Sequence, residues 1–151
     1  MNNIIDLIIR IMILSMLTGI NQGMEETASV VNYGVEEASR MDMETVFFMA
    51  KCIEAEAGNQ DLLGKRLVAD VILNRADSKL FPETVEGVIS QKGQFAVYPT
   101  VMERTVPSEE TYEAIILELK NRTDEEILYF NCGGYNSSKP AYQHGDHYFG
   151  Y

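Results

Sequence analysis

From Met43 onward the hydrophobic positions recur every three or four residues. Val46, Met49, Ala50, Ile53 and Ala57 fall on one face of a helix that predicts an element over 43–57. Asp42 is placed to cap its start, and Gly58 followed by Asn59 marks its stop. A second helix is predicted from about Asp61 to Arg75, with Leu63, Leu67, Val68, Val71 and Ile72 turned to a core. A short helix follows at about 83–91, then a strand-like piece at 94–101. Ser108 is the expected N-cap of a helix over 108–121, whose stripe is Tyr112, Ile115, Ile116 and Leu119. Strand-like pieces at 127–132 and 141–149 close the chain around a Gly, Ser, Asn and Pro-rich loop, 132–145, read either as a cleft wall or as a solvated surface loop. The order predicts a single α+β domain, dominated by helices, with a small antiparallel sheet.

The most apolar stretch precedes that domain. Residues 4–20, IIDLIIRIMILSMLTGI, carry Asp6 and Arg10 four positions apart, so that the two share a helix face and can pair. The run is shorter than the ~20 unbroken apolar residues of a clean membrane span. It is expected to be a signal or membrane anchor, giving membrane association through 4–20, with a helix packed on the domain or a partner as the alternative. Residues 21–42 are polar and acidic and suit a linker. The predicted division is thus 1–41 for anchor and linker, and 42–151 for the folded domain.

Charge narrows the partners. The chain has 12 basic and 23 acidic residues, net −11, with no cluster of Lys or Arg to follow a phosphate backbone. Nucleic acid is excluded as a partner, and tight binding to an anionic polymer is disfavoured, whereas a neutral sugar chain is acceptable. Cys52 and Cys132 lack the spacing of a metal or redox site and are read as two buried thiols, with a single disulfide open if the chain is exported.

Two glutamates stand one residue apart at the end of the first helix. At about 100° per residue, Glu56 lies within roughly 20° of Met49, beside the Ile53 stripe, while Glu54 is turned roughly 140° away toward solvent. A carboxyl against apolar neighbours loses solvation of its charged form, which raises its pKa as a general acid near neutral pH requires. The plainer alternative is an edge glutamate paired with Lys or Arg.

An ordered set of short motifs surrounds Glu56. Glu56-Ala57, Gly64, Val68-Ala69, Val71-Ile72-Leu73-Asn74-Arg75, Phe81-Pro82, Gly87-Val88-Ile89 and Gln94-Phe95 follow one another, and ILYFNC at 127–132 and HGDHYF at 144–149 continue the series. Together they resemble the catalytic domain of the SleB/CwlJ-type spore-cortex-lytic and phage-borne cell-wall hydrolases over about residues 44–151. The chain departs from the family where Arg-Gly-Glu gives way to Gly58-Asn59-Gln60, and it contains no Trp.

The resemblance implies a lysozyme- or transglycosylase-like cleft and a target in the glycan strands of peptidoglycan, at the β-1,4 bond between N-acetylmuramic acid and N-acetylglucosamine. It implies one essential glutamate, Glu56, and substrate contacts at Gln94, Phe95, Tyr129, Asn131 and His147, with no metal and no cofactor. It also implies an extracytoplasmic, wall- or spore-associated, or phage-encoded protein. A lone glutamate suffices for a lytic transglycosylase, where the sugar's own 6-hydroxyl closes the ring; an ordinary glycosidase needs a second carboxylate.

Three other readings compete. A zinc amidase or peptidase would use His144 and His147 near Asp146, a thin ligand set for zinc. A cysteine hydrolase would pair Cys132 or Cys52 with His147. A degenerate module would bind wall, or serve a phage or spore assembly, without cleaving.

Overall fold

The computed structural model describes residue 41 and residues 43–95 and 97–151. The apolar run 4–20, the linker and the Asp42 cap lie outside the described residues. Among the described residues no helix is long and apolar enough to cross a membrane.

The described residues form four α-helices and three strands: α1 (Met43–Ala57), α2 (Leu62–Asp77), α3 (Val85–Ser90), a 3-10 turn (Met102–Arg104), α4 (Glu109–Lys120), β1 (Tyr129–Asn131), β2 (Pro140–His144) and β3 (His147–Gly150). Three helices begin on side-chain caps. Asp61 accepts from the Gly64 N–H at 2.8 Å, Thr84 from Gly87 at 3.0 Å and Ser108 from Thr111 at 3.4 Å, each satisfying a donor that the first turn leaves unpaired.

The α+β class is observed, with a small antiparallel sheet of strand order β1-β3-β2. Two expectations are corrected. Residues expected as a strand after Gln94 instead form turns at 97–100 that lead into the 3-10 turn, outside the sheet of the described residues. The expected strand 141–149 is a hairpin, broken at Gly145, whose φ of 53° is the left-handed conformation that glycine adopts without strain.

α2 is the centre of the molecule and packs against α1, α3, α4 and β1. On one side Val68, Ala69, Ile72 and Leu73 join Met49, Ala50, Ile53, Val88, Ile89 and Ile115; on another Leu67 and Val71 meet Ile127 and Phe149. Burial on nearly every side explains why polar residues of α2 are also inside. Leu63, expected in the core, is 39% exposed because it lies on the first turn, ahead of the packed part of the helix.

The buried polar residues of α2 tie down the link that carries the chain into the sheet. Asn74 donates to the carbonyls of Asp124 (2.8 Å) and Ile127 (3.0 Å), and Arg122 donates to the Asn74 side-chain oxygen (3.1 Å). Asp70 accepts from the Asp124 N–H at 2.9 Å. Beside it the buried Glu118 accepts from Arg66, and from the Thr123 N–H and hydroxyl at 2.7 Å each. Burial and the neighbouring Glu118 push the Asp70 carboxyl up to about 9.

Candidate active site

The end of α1 brings the two glutamates into different surroundings. Glu54 is not a solvent residue: its Oε2 accepts from the Ser108 N–H at 3.0 Å, the Ser108 hydroxyl at 2.7 Å and the Thr111 hydroxyl. Burial raises its pKa, but the bonds from Thr111 and Ser108 and the charge of Lys65 bring it below the ordinary value. Glu54 is therefore a fixed carboxylate seated on the N-terminus of α4, where the helix dipole favours negative charge. The helical angle turned it away from the apolar stripe, but the expected solvent-facing position is corrected: the side that it faces is covered by the start of α4, 54 positions away in sequence.

Glu56, two residues further along the helix, is half-buried in the last turn of α1. The charges of Glu56 and Arg75 both act on Cys52, and that of Glu56 also acts on Cys132, while its backbone meets the ring of His147. The glutamate thus lies where the end of α1 faces the sheet. These three neighbours are uncharged near neutral pH. Burial raises the Cys52 thiol well above its ordinary value, burial and the charge of Glu56 raise Cys132, and burial lowers His147 against the opposing influence of Asp146.

The five expected substrate contacts divide by exposure. Gln94 and Asn131 are exposed and Tyr129 is half-buried. Phe95 and His147, only 3% and 1% exposed, are core residues and do not present a face to a ligand. Phe95 packs on Phe130 with ring centres 6.0 Å apart, and Phe130 stands edge-on to His147 at 5.1 Å. The reason is the strand's alternation: Phe130, His147 and Phe149 turn inward, leaving Asn131 and Tyr148, which are register partners, on the other face.

Arg75 supports the same region from below. It is 3% exposed, donates from Nε to the Leu128 carbonyl at 2.6 Å, and lies over the rings of Phe81, Phe95 and Tyr129 at 4.9, 5.5 and 5.6 Å. Burial lowers it to about 10. Its position near the end of α2 suits the helix dipole, but its stacking on three rings, two of them at expected contact positions, is the larger role.

Residues outside the expected catalytic and substrate-contact set, noted in the sequence only as a departure from the family, a zinc alternative or a helix start, fasten the α1–α2 loop to the β2–β3 turn. Gln60 and Asn59 both donate to Asp146 Oδ2, at 3.0 and 3.2 Å, and the Asp146 N–H donates to Gln60 Oε1 at 3.2 Å. His144 Nε2 lies 2.7 Å from Asp61 Oδ1. His144 is thus engaged with a capping residue and His147 is buried, so the pair does not converge. Among the described residues no group of three or more His, Cys, Asp or Glu is placed to hold a metal ion. Both cysteines are free, and Cys132 is exposed rather than buried, because it follows β1 at the start of the Gly133-Gly134 turn. A nucleophilic thiol needs a depressed pKa, and both thiols are raised instead.

A family model described as Cell Wall Hydrolase matches residues 59–150, more than half of the 151 residues. The chain belongs to this family, in its SleB/CwlJ type. The match begins three positions after Glu56. A spore cortex-lytic enzyme of Bacillus cereus is 28% identical over 109 residues, 71% of this chain and 42% of that protein. Those of Oceanobacillus iheyensis and Bacillus subtilis are 33% and 32% identical over 85 residues, 55% of this chain and 31% and 28% of theirs. The chain therefore spans less than half the length of these relatives. Among solved structures, the catalytic domain of the Bacillus cereus SleB protein matches with a TM-score of 0.65 at 26% identity, covering 73% of this chain and 91% of that one. The catalytic domain of the germination-specific lytic transglycosylase SleB from Bacillus anthracis matches with a TM-score of 0.63 at 28% identity, covering 73% and 96%. The fold is the lysozyme-like fold of those domains.

Proposed function

We infer that this chain cleaves peptidoglycan glycan strands at the β-1,4 bond between N-acetylmuramic acid and N-acetylglucosamine, as a lytic transglycosylase working through Glu56. The observation that carries the reading is the division of labour at the end of α1. Glu54 is held as a permanent carboxylate on α4, while Glu56 stands half-buried at the end of α1, where that helix faces Cys52, Cys132 and His147. A general acid has to carry a proton before it gives one away, and a partly dry surrounding suits a carboxyl in that role.

The steps balance with one residue. Protonated Glu56 gives its proton to the glycosidic oxygen as the bond to the muramic acid anomeric carbon breaks, and charge develops on an oxocarbenium-like centre. The sugar's 6-hydroxyl then bonds to that carbon, and the Glu56 carboxylate takes the hydroxyl proton, which restores the acid and leaves a 1,6-anhydro end. Contacts with the glycan are assigned to the exposed Gln94 and Asn131 and to Tyr129, held from beneath by Arg75, Phe95, Phe130 and His147. The Bacillus anthracis neighbour is a lytic transglycosylase, which favours this chemistry over hydrolysis. The wall or the spore cortex, outside the cytoplasm, is the corresponding place of action.

Mass spectrometry of fragments released from purified spore cortex and vegetative wall by the full chain tests the reaction. Fragments ending in anhydro-muramic acid are expected. Reducing ends in their place would make the protein a hydrolase that needs a second, water-activating carboxylate, and no release from either substrate would leave a binding module.

A further inference from the structure

The contacts between the α1–α2 loop and the β2–β3 turn form a reciprocal pair directly beyond Glu56. The backbone N–H of Gln60 closes the end of α1 on the Ala57 carbonyl at 2.9 Å, so the Gln60 side chain leaves from a fixed point one turn past Glu56. That side chain donates to Asp146 Oδ2 (3.0 Å) and accepts from the Asp146 N–H (3.2 Å), while Asn59 donates to the same oxygen (3.2 Å). The approach is close because residue 145 is glycine: a Cβ there would overlap Gln60 Oε1. The next residue after Asp146 is His147, whose inward ring packs on Phe130 and meets the backbone of Glu56. We propose that Gln60 and Asp146 are positioning residues for the reaction assigned above, an amide–carboxylate pair that sets where the His147 end of β3 sits against the last turn of α1 and so where Glu56 stands. The proposal rests on the reading of Glu56 as the acid.

The chemistry at position 60 is restrictive. The side chain must donate to a carboxylate and accept from a backbone N–H at once, which a primary amide does with its two ends. A carboxylate could keep the second bond only by facing the Asp146 carboxylate, an arrangement that two like charges tolerate only when they share a proton. The other titratable groups around the pair are Glu56 and Asp61 on the helix side, His144 and His147 on the strands, and Cys132 after β1.

The test uses the full chain, its Gln60→Glu variant and the double variant Gln60→Glu/Asp146→Asn. Three readouts are followed: initial rates of fragment release from about pH 5 to 8, the ring signals of the two histidines by NMR, and thermal unfolding. Gln60→Glu is expected to lower the rate at neutral pH about tenfold, since misplacing a catalytic group by a fraction of an ångström is costly. The loss should ease toward pH 5 as one proton bridges the two carboxyls, with the His147 signals displaced in parallel. The double variant replaces the repulsion with a neutral amide and should recover the rate to within about twofold while returning those signals. Equal neutral-pH rates with unmoved His147 signals, or a loss that Asp146→Asn does not repair, would overturn the pair. If Gln60→Glu does not fold, Gln60→Met removes both bonds without adding charge and must displace the His147 signals, with no repair by Asp146→Asn. If the unaltered chain releases nothing yet the histidine signals move and return as described, the pair stands as a clamp and the reading of Glu56 falls.

Discussion

Burial raises the Glu54 carboxyl, and the bonds from Thr111 and Ser108 more than reverse it, so the folded pKa lies below the ordinary 4.5. A depressed carboxyl contributes stability that is present above its unfolded value and is lost as pH falls through the folded one. Glu54→Gln should therefore cost about 1 kcal/mol of unfolding free energy at pH 7, the scale of a lost helix cap, and less near pH 3, as read by urea unfolding at the two pH values. Cleavage of peptidoglycan at pH 7 should persist in this variant. The sequence alone separated the two glutamates by helical angle, and it identified Ser108 as a cap. That the two observations belong together was not legible, because a cap's second acceptor is chosen by tertiary packing between α1 and α4.

At the scale of elements, α2 carries the largest buried polar load, and Asp70 is its most perturbed member, raised from an ordinary 3.8 to about 9 by burial and by Glu118. A raised carboxyl has the opposite sign: relative stability is highest below the unfolded value and is lost as pH climbs from about 4 through 9. Asp70→Asn imitates the protonated form, able to donate to Glu118 and still accept from Asp124. The variant is expected to melt above the wild type at pH 8 to 9 and to show a flatter dependence of melting temperature on pH; a parallel shift at every pH would contradict a raised Asp70 carboxyl. Helices were legible here because period and caps agree, as at Asp61 and Ser108. The strand predicted after Gln94 failed because an apolar run says nothing about whether a partner strand is available, and among the described residues no strand lies beside those turns. Within α2 the pattern marked an apolar face, whereas a helix covered on nearly all sides keeps Lys65, Asp70, Asn74 and Arg75 inside as well.

For the molecule as a whole, a net charge of −11 acts over distances that salt controls. Raising ionic strength from about 0.01 to 0.15 M shortens the screening length from ~30 to ~8 Å. Release from walls rich in anionic polymer should then rise a few-fold as repulsion is screened, while release from glycan stripped of such polymers should change little; turbidity loss across a salt series checks both. The order of motifs along the chain conveyed the family, but not the side-chain bonds that assemble the region around Glu56. Gln60 and Asp146 lie 86 positions apart, a separation at which periodicity is silent and only packing decides. The role of Glu56 as the acid is tested by comparing peptidoglycan digests by the full chain, Glu56→Gln and Glu54→Gln, all confirmed folded by their melting curves. Anhydro-muropeptides are expected from the wild type and from Glu54→Gln, and at least a thousandfold less from Glu56→Gln, about the upper range for loss of a general acid. Undiminished release by Glu56→Gln would contradict that role.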